Sequence, residues 1–199
     1  MSSAVMEPVA APPRATTADL LALPDDGVER WLVDGVIEEV GMTMRNKHHT
    51  AIESDVVYYL QAWLKPQPTP RGRVRSGEVG VLLREDPELS VGIDVVYLNA
   101  AQAARNDAIA DDETTILVAP VTLAVEILSP SDTIENIQRK LDWFADCGVP
   151  VAWVLNPYQR TVAIHRPGVP PVTLNEQQEL DGGEELPGFR VPVGRLFER

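Results

Sequence analysis

Leu123-Ala-Val-Glu-Ile-Leu-Ser-Pro-Ser-Asp132 decides the fold. Residues 121–128 are almost wholly apolar, rich in β-branched side chains and bounded by Pro120 and Pro130, the pattern of a strand buried on both faces. Glu126 is the one charge inside it. An unpaired carboxylate within a sheet costs several kcal/mol, so Glu126 must be neutralised, paired or bound to a metal. Pro130 stops the strand. Ser131 or Asp132 can then cap a helix, with Glu135 three residues after Asp132 as in a capping box. Along that helix, expected to run to Cys147, the residues Ile134, Ile137, Leu141 and Phe144 recur at helical spacing and form a stripe facing the sheet. Lys140 falls on the flank of the stripe, roughly 80° from its centre at about 100° per residue. Its long stem can follow the helix–sheet seam and carry the ammonium toward the strand end.

A second buried strand, Val91-Gly-Ile-Asp-Val-Val-Tyr-Leu98, again holds a single acid, Asp94. Alternation puts Ala124, Glu126 and Leu128 on one face of the first strand, and Gly92, Asp94 and Val96 on one face of the second. If the strands are neighbours, both carboxylates can project to the side of Lys140. Two carboxylates a few ångströms apart repel each other's ionisation unless a cation sits between them. Oxygen-only ligands suit Mg²⁺ or Mn²⁺, and a nearby lysine could orient or deprotonate an attacking water. The same three residues could equally form a buried ion pair with no chemistry.

The totals set bounds. A chain of 199 residues is most simply one domain, here a tail over 1–15 followed by a single unit over 16–199. The 44% hydrophobic and 24% charged shares are those of a globular protein. A lone cysteine, Cys147, excludes an internal disulfide and suits a reducing cytoplasm. No stretch is long or apolar enough to span a bilayer, and the N-terminus lacks the pattern of a secretory signal. The net charge of −13 argues against a broad nucleic-acid footprint, because affinity for nucleic acid comes mainly from neutralised phosphates. Any such footprint must be local. Lys65, Arg71, Arg73 and Arg75, with no acid among them, are the one candidate, and a solvated loop and strand face is the equally simple alternative.

Elsewhere the sequence predicts a short helix over 17–23 with a threonine cap, a hairpin over 31–40 turning at Asp34-Gly35, and a helix over 48–64 with the stripe Ile52, Val56, Tyr59, Leu60 and Trp63. One or two strands over 73–83, kinked at Gly77 or Gly80, and a turn at 85–88 precede the Asp94 strand. A connection with a short helix near 101–105 follows that strand. Strands over 151–156 and 161–165 and turn-rich edge material complete the chain.

Trp31-Leu-Val-Asp-Gly35, His49, Gly92-Ile-Asp-Val95, Val125-Glu-Ile-Leu-Ser-Pro-Ser131, Lys140, Cys147-Gly-Val149 and Trp153-Val-Leu-Asn-Pro157 resemble the Uma-type restriction endonuclease family of the PD-(D/E)XK nuclease superfamily. The likeness runs from about residue 17 to the end, through Leu186-Pro-Gly-Phe-Arg190 and Leu196-Phe197. It implies an α/β (α+β) fold with a restriction-endonuclease-like core: a mixed central sheet flanked by helices, with an extra N-terminal hairpin and C-terminal strands. It also implies Asp94 and Glu126 as ligands of Mg²⁺ or Mn²⁺, Lys140 as the catalytic lysine, and hydrolysis of nucleic acid, DNA in the first place; a homodimer is compatible with it. The superfamily's lysine normally stands two residues after the acid. That place is Leu128 here, and the family's displaced lysine matches Lys140. Ile93 replaces the usual proline, Asn136 a common aspartate, and Trp31 an acid of the first hairpin, with Glu29 close by.

His49 matches a family histidine at the start of the long helix, where it could contact phosphate or assist proton transfer, or be a plain exposed helix-start residue. Glu53, one turn on, could supplement the site or be a surface carboxylate. Ser129 and Ser131 lack the Gly-x-Ser-x-Gly setting of a hydrolase nucleophile and read as turn and cap residues. The expectation is therefore a metal-dependent endonuclease, with a non-catalytic module of the same fold as its rival.

Overall fold

The computed structural model describes residues 14–42, 46–109 and 116–198. The tail expected over 1–15 falls almost wholly outside them. At the N-terminal end, Thr16 accepts from the Asp19 amide while Asp19 returns to the Thr16 amide, and this reciprocal cap opens helix α1 (Thr17–Leu21). Strands β1 (Val28–Val33) and β2 (Val36–Met42) form the hairpin, turning through Asp34 and Gly35 with φ of 53° and 80°. Two consecutive positive φ values match the right-handed twist of the flanking strands. Asn46 caps α2 (Lys47–Leu64) by accepting from the His48 and His49 amides.

Next come β3 (Arg73–Glu85), β4 (Glu88–Leu98), α3 (Ala100–Asp107), β5 (Leu117–Val118), β6 (Leu123–Ile127), α4 (Ile134–Asp146) and β7 (Val151–Asn156). The chain ends with β8 (Thr161–Arg166), β9 (Val169–Asn175), β10 (Glu179–Asp181), β11 (Arg190–Pro192) and a 3₁₀ turn over Val193–Phe197. The large sheet runs β2-β1-β4-β6-β7-β8-β9, with β3 on the other edge of β4 and β5 against β3. Strands β6 and β7 are parallel, joined by the α4 crossover, while the other neighbours along this path are antiparallel. This is the mixed sheet with flanking helices, N-terminal hairpin and C-terminal strands that the sequence leads one to expect.

One edge of β4 changes partners midway. Leu32 and Val33 of β1 face Ser90 and Leu89, whereas Val125, Ala124 and Leu123 of β6 face Val95, Val96 and Tyr97. Between the two pairings lie Val91 to Asp94, at a fork in the sheet. On the opposite edge, β3 carries a bulge at the same level: Ser76 faces Val95 and Val79 faces Ile93, so Gly77 and Glu78 together oppose Asp94. Both bulged residues have positive φ, 93° and 56°. A bulge bends its strand and re-aims neighbouring side chains, and such bends concentrate at functional sites.

Alternation divides the core into two layers. Val95, Tyr97, Leu123, Val125 and Trp153 face the α2 stripe and the C-terminal Phe189 and Phe197. Val96, Ala124 and Val154 pack with Leu141 and Phe144 of α4, in a layer that extends to Trp31. Each large side chain so buried contributes about 1.5–3 kcal/mol. Pro170 and Pro171 sit in the edge strand β9, where missing N–H groups discourage pairing with another chain.

Two details differ from expectation. Thr133, not Ser131 or Asp132, caps α4, accepting from the Asn136 amide, while Asp132 folds back onto the Ser129 amide at 2.6 Å. Helix α4 thus begins at Ile134, which is 91% exposed. The first turn overhangs the sheet, so only the later members of the stripe meet the core.

Candidate active site

The β4–β6 ladder ends at the pair Val95 with Val125, and the residues next beyond it are Asp94 on β4 and Glu126 on β6. Residues opposite one another in an antiparallel pair share a face. Both acids are buried. Past the last backbone pair, Asp94 Oδ2 accepts the Ile127 amide at 2.7 Å, so a side chain takes over where the ladder ends. Asp94 Oδ1 lies 3.0 Å from His49 Nε2. Glu126 Oε1 lies 2.6 Å from Lys140 Nζ, and that lysine is also buried, its stem laid along the seam between α4 and the sheet.

These neighbours set opposite charge states. Burial alone would push the Asp94 carboxyl up, but the His49 imidazole, the Ile127 amide and the Lys140 charge outweigh it and hold Asp94 below the ordinary carboxylate range. Burial pushes Glu126 up to about 8, and repulsion from Asp94 and Glu29 adds to it, while Lys140 only partly opposes. The ammonium approaches Glu126 closely but off the hydrogen-bond axis, so the buried Oε1 has no aligned donor. A buried acceptor left in that state is a position where a ligand completes the site.

Around these groups is a cavity of about 20 Å³, lined among others by Glu29, Trp31, Asp94, Glu126, Ile127 and Lys140. That volume holds one water-sized guest. Two carboxylates beside a small space fit the donor set of Mg²⁺ or Mn²⁺. Those ions take one or two carboxylates and fill the rest of an octahedron with water and substrate oxygen.

The sequence-predicted residues divide into three groups. Asp94, Glu126 and Lys140 come together. His49 joins them from behind: it is 1% exposed and backs Asp94, so it is neither an exposed helix-start residue nor a phosphate contact at the surface. Glu53 Oε2 lies 3.9 Å from His49 Nδ1, at the rear of the same group. Arg71, Arg73 and Arg75 line a separate groove of about 460 Å³, together with Lys65, Ala103 and Asp107. There Arg73 pairs with Asp107 at 2.5 Å and Arg71 donates to the Lys65 carbonyl. Ser129 and Ser131 bond to each other at 2.9 Å in the turn before α4, as turn residues do.

Sequence reasoning missed the Ile127 amide, a backbone group with no signal of its own. It also treated Trp31 only as a lost acid. The indole in fact walls the cavity, with Lys140 Nζ 5.6 Å from its ring centroid and Arg139 packed against both it and Trp143. No helix among the described residues is long and apolar enough to cross a membrane.

The family model Uma2, described as "Putative restriction endonuclease", matches residues 17–194. Among solved structures, a putative nuclease belonging to DUF820 from Anabaena variabilis is similar, at 18% identity and a TM-score of 0.72 over 92% of this chain and 97% of that one. At that identity the likeness speaks for the fold. A search of curated proteins returns no match.

Proposed function

The chain belongs to the Uma2 family of putative restriction endonucleases, and on that premise we propose that it is a Mg²⁺- or Mn²⁺-dependent endonuclease hydrolysing phosphodiester bonds, with DNA as substrate. The observation that carries this reading is the meeting of Asp94, Glu126 and Lys140 around one buried cavity. A divalent ion bound there would polarise the scissile phosphate and offset charge developing on its oxygens. Asp94, held ionised by His49 and the Ile127 amide, supplies one oxygen ligand and Glu126 the other. Lys140, as the ammonium, would orient the attacking water and offset charge on the phosphate, while the Glu126 carboxylate would take the water's proton as the new O–P bond forms and the leaving oxygen departs with the electrons of the broken bond.

Substrate phosphates flanking the cut lie along the groove of Arg71, Arg73 and Arg75 in this reading. Arg73 pairs with Leu98, four residues along β4 from Asp94, or roughly 13 Å at about 3.3 Å per residue. A duplex covers that distance in about four base pairs. Residues 16–199 act as one unit, and a reducing cytoplasm suits the lone Cys147. Paired cuts across two strands would suit a two-fold dimer.

The net charge of −13 favours a second reading, a module that keeps the nuclease fold without catalysis. Cleavage of DNA and RNA with Mg²⁺ or Mn²⁺ by Asp94→Ala, Glu126→Ala and Lys140→Ala separates the two. A drop of about 100-fold or more is expected for each, since metal-borne charge stabilisation amounts to several kcal/mol. Unchanged cleavage in all three rejects the assignment.

A further inference from the structure

We infer that Trp31 is a positioning residue for Lys140, its indole face holding the ammonium in place beside Glu126. The purpose of that position, the attack of water on a phosphodiester, rests on the nuclease reading above.

Lysine is a compact charge on a flexible four-carbon stem, so an ammonium with a fixed task needs fixed neighbours. Glu126 Oε1 lies 2.6 Å from Lys140 Nζ, and the centroid of the Trp31 ring lies 5.6 Å from it. The two anchors differ in kind. The carboxylate is approached off the hydrogen-bond axis, and in the reading above its oxygens also serve the ion and the water's proton. An aromatic face attracts a cation through its quadrupole and claims none of the ammonium's three N–H donors. Trp31 and Lys140 are both buried, so little solvent screens the contact. The indole can therefore steady the charge and leave its N–H groups to Glu126 and to water.

The ring is itself held firmly. Its Nε1 donates to Glu29 Oε1 at 3.0 Å, and Trp143 stands edge-to-face against it with centroids 5.6 Å apart. The Arg139 guanidinium packs against both rings, its Cζ 5.8 Å from the Trp31 centroid and 4.9 Å from that of Trp143. Across the hairpin, Trp31 pairs with Glu38, and Glu38 Oε2 accepts from Arg139 at 2.9 Å. On α4, Trp143 follows Arg139 by four residues and Lys140 by three, so all three share one side of the helix. One cluster thus ties the strand that bears the aromatic face to the helix that bears the ammonium. Its members fix the distance between the two.

The test uses the full chain, isotopically labelled at lysine Cε. The sequence has three lysines, of which Lys47 and Lys65 are exposed and Lys140 is buried. In nuclear magnetic resonance spectra without metal or nucleic acid, the Lys140 Hε signal should lie upfield of the other two, shielded by the ring face. It should move toward them in Trp31→Leu, while Lys140→Met identifies the signal by its loss. In cleavage assays, Trp31→Leu is expected to lower kcat about 10- to 30-fold, the worth of a desolvated cation–ring contact, with little change in KM for DNA. Trp31→Phe, which keeps a face, should recover part of both effects. Fluorinated tryptophans placed at position 31 keep the shape of the ring and weaken its negative face, so kcat should fall stepwise with each added fluorine. They decide the matter even if Trp31→Leu does not fold. An Hε signal unmoved in Trp31→Leu, or a kcat indifferent to fluorination, overturns the inference. A wild type that cleaves nothing yet shows the upfield signal overturns the nuclease reading and leaves the indole as the anchor of the ammonium.

Discussion

Replacing Glu126 by Gln should make the metal-free protein more stable while abolishing cleavage, and the size of the gain should depend on pH. The folded protein holds the Glu126 carboxyl at about 8, against 4.5 for an ordinary glutamate. Because the folded state binds the proton more tightly, the stabilising contribution is complete below pH 4.5 and is lost as pH rises through 8. At about 1.4 kcal/mol per pH unit, the full span amounts to about 5 kcal/mol, of which about 3 kcal/mol is lost by about pH 7. Gln has nearly the shape of the protonated acid and no charge to desolvate. The variant should therefore match the wild type near pH 4.5 and exceed it by about 3 kcal/mol at about pH 7, or roughly 6–12 °C in Tm for a chain of this size. Thermal unfolding of both proteins in EDTA from about pH 5 to about pH 8.5 reads this directly. Saturating Mn²⁺ should close or invert the gap, since the ion stabilises only the chain that binds it. A Tm difference that does not change with pH, or a variant less stable than wild type at neutral pH in EDTA, would refute the reasoning.

His49→Ala should destabilise by about 2–4 kcal/mol and reduce cleavage, since it leaves the buried Asp94 carboxylate with one partner fewer; chemical denaturation and a cleavage assay report the two effects separately. Arg71→Ala, Arg73→Ala and Arg75→Ala should weaken DNA binding while leaving cleavage at saturating DNA near wild type. Each arginine that neutralises a phosphate should, on removal, flatten the slope of log affinity against log salt by about 0.9, measured by fluorescence anisotropy. Gly72→Ala should cost about 1–3 kcal/mol in chemical denaturation, because its new Cβ would drive into the Leu98 carbonyl and the Tyr97 ring, and the Leu98 carbonyl belongs to a strand that cannot yield.

The parts of the fold written in a local period were legible in the sequence. Strict alternation grouped Asp94 with Gly92 and Val96, and Glu126 with Ala124 and Leu128, and made a shared face conditional on the two strands being neighbours; β4 and β6 are neighbours, with Val96 opposite Ala124. Helical spacing placed Lys140 at the flank of its stripe, from which Nζ reaches Glu126. Local choices among equivalent residues were not legible. Ser131, Asp132 and Thr133 can all cap a helix, and only the path of the chain out of β6 selects Thr133. Ile134 fits the stripe by spacing but lies beyond the sheet's reach. Contacts between distant segments leave no periodic trace. The burial of His49 behind Asp94, the grip of Trp31 on Glu29 and the sharing of one β4 edge by β1 and β6 belong to that class.

The divided edge of β4 has an evolutionary corollary. The Asp94 and Glu126 carboxylates arise from β4 and β6, whereas the wall facing them is carried by a hairpin whose ladder with β4 has two residue pairs. Mutational drift in the hairpin can therefore remodel the pocket's lining without disturbing the two carboxylates. Descendants of one scaffold can then diversify the pocket one module at a time.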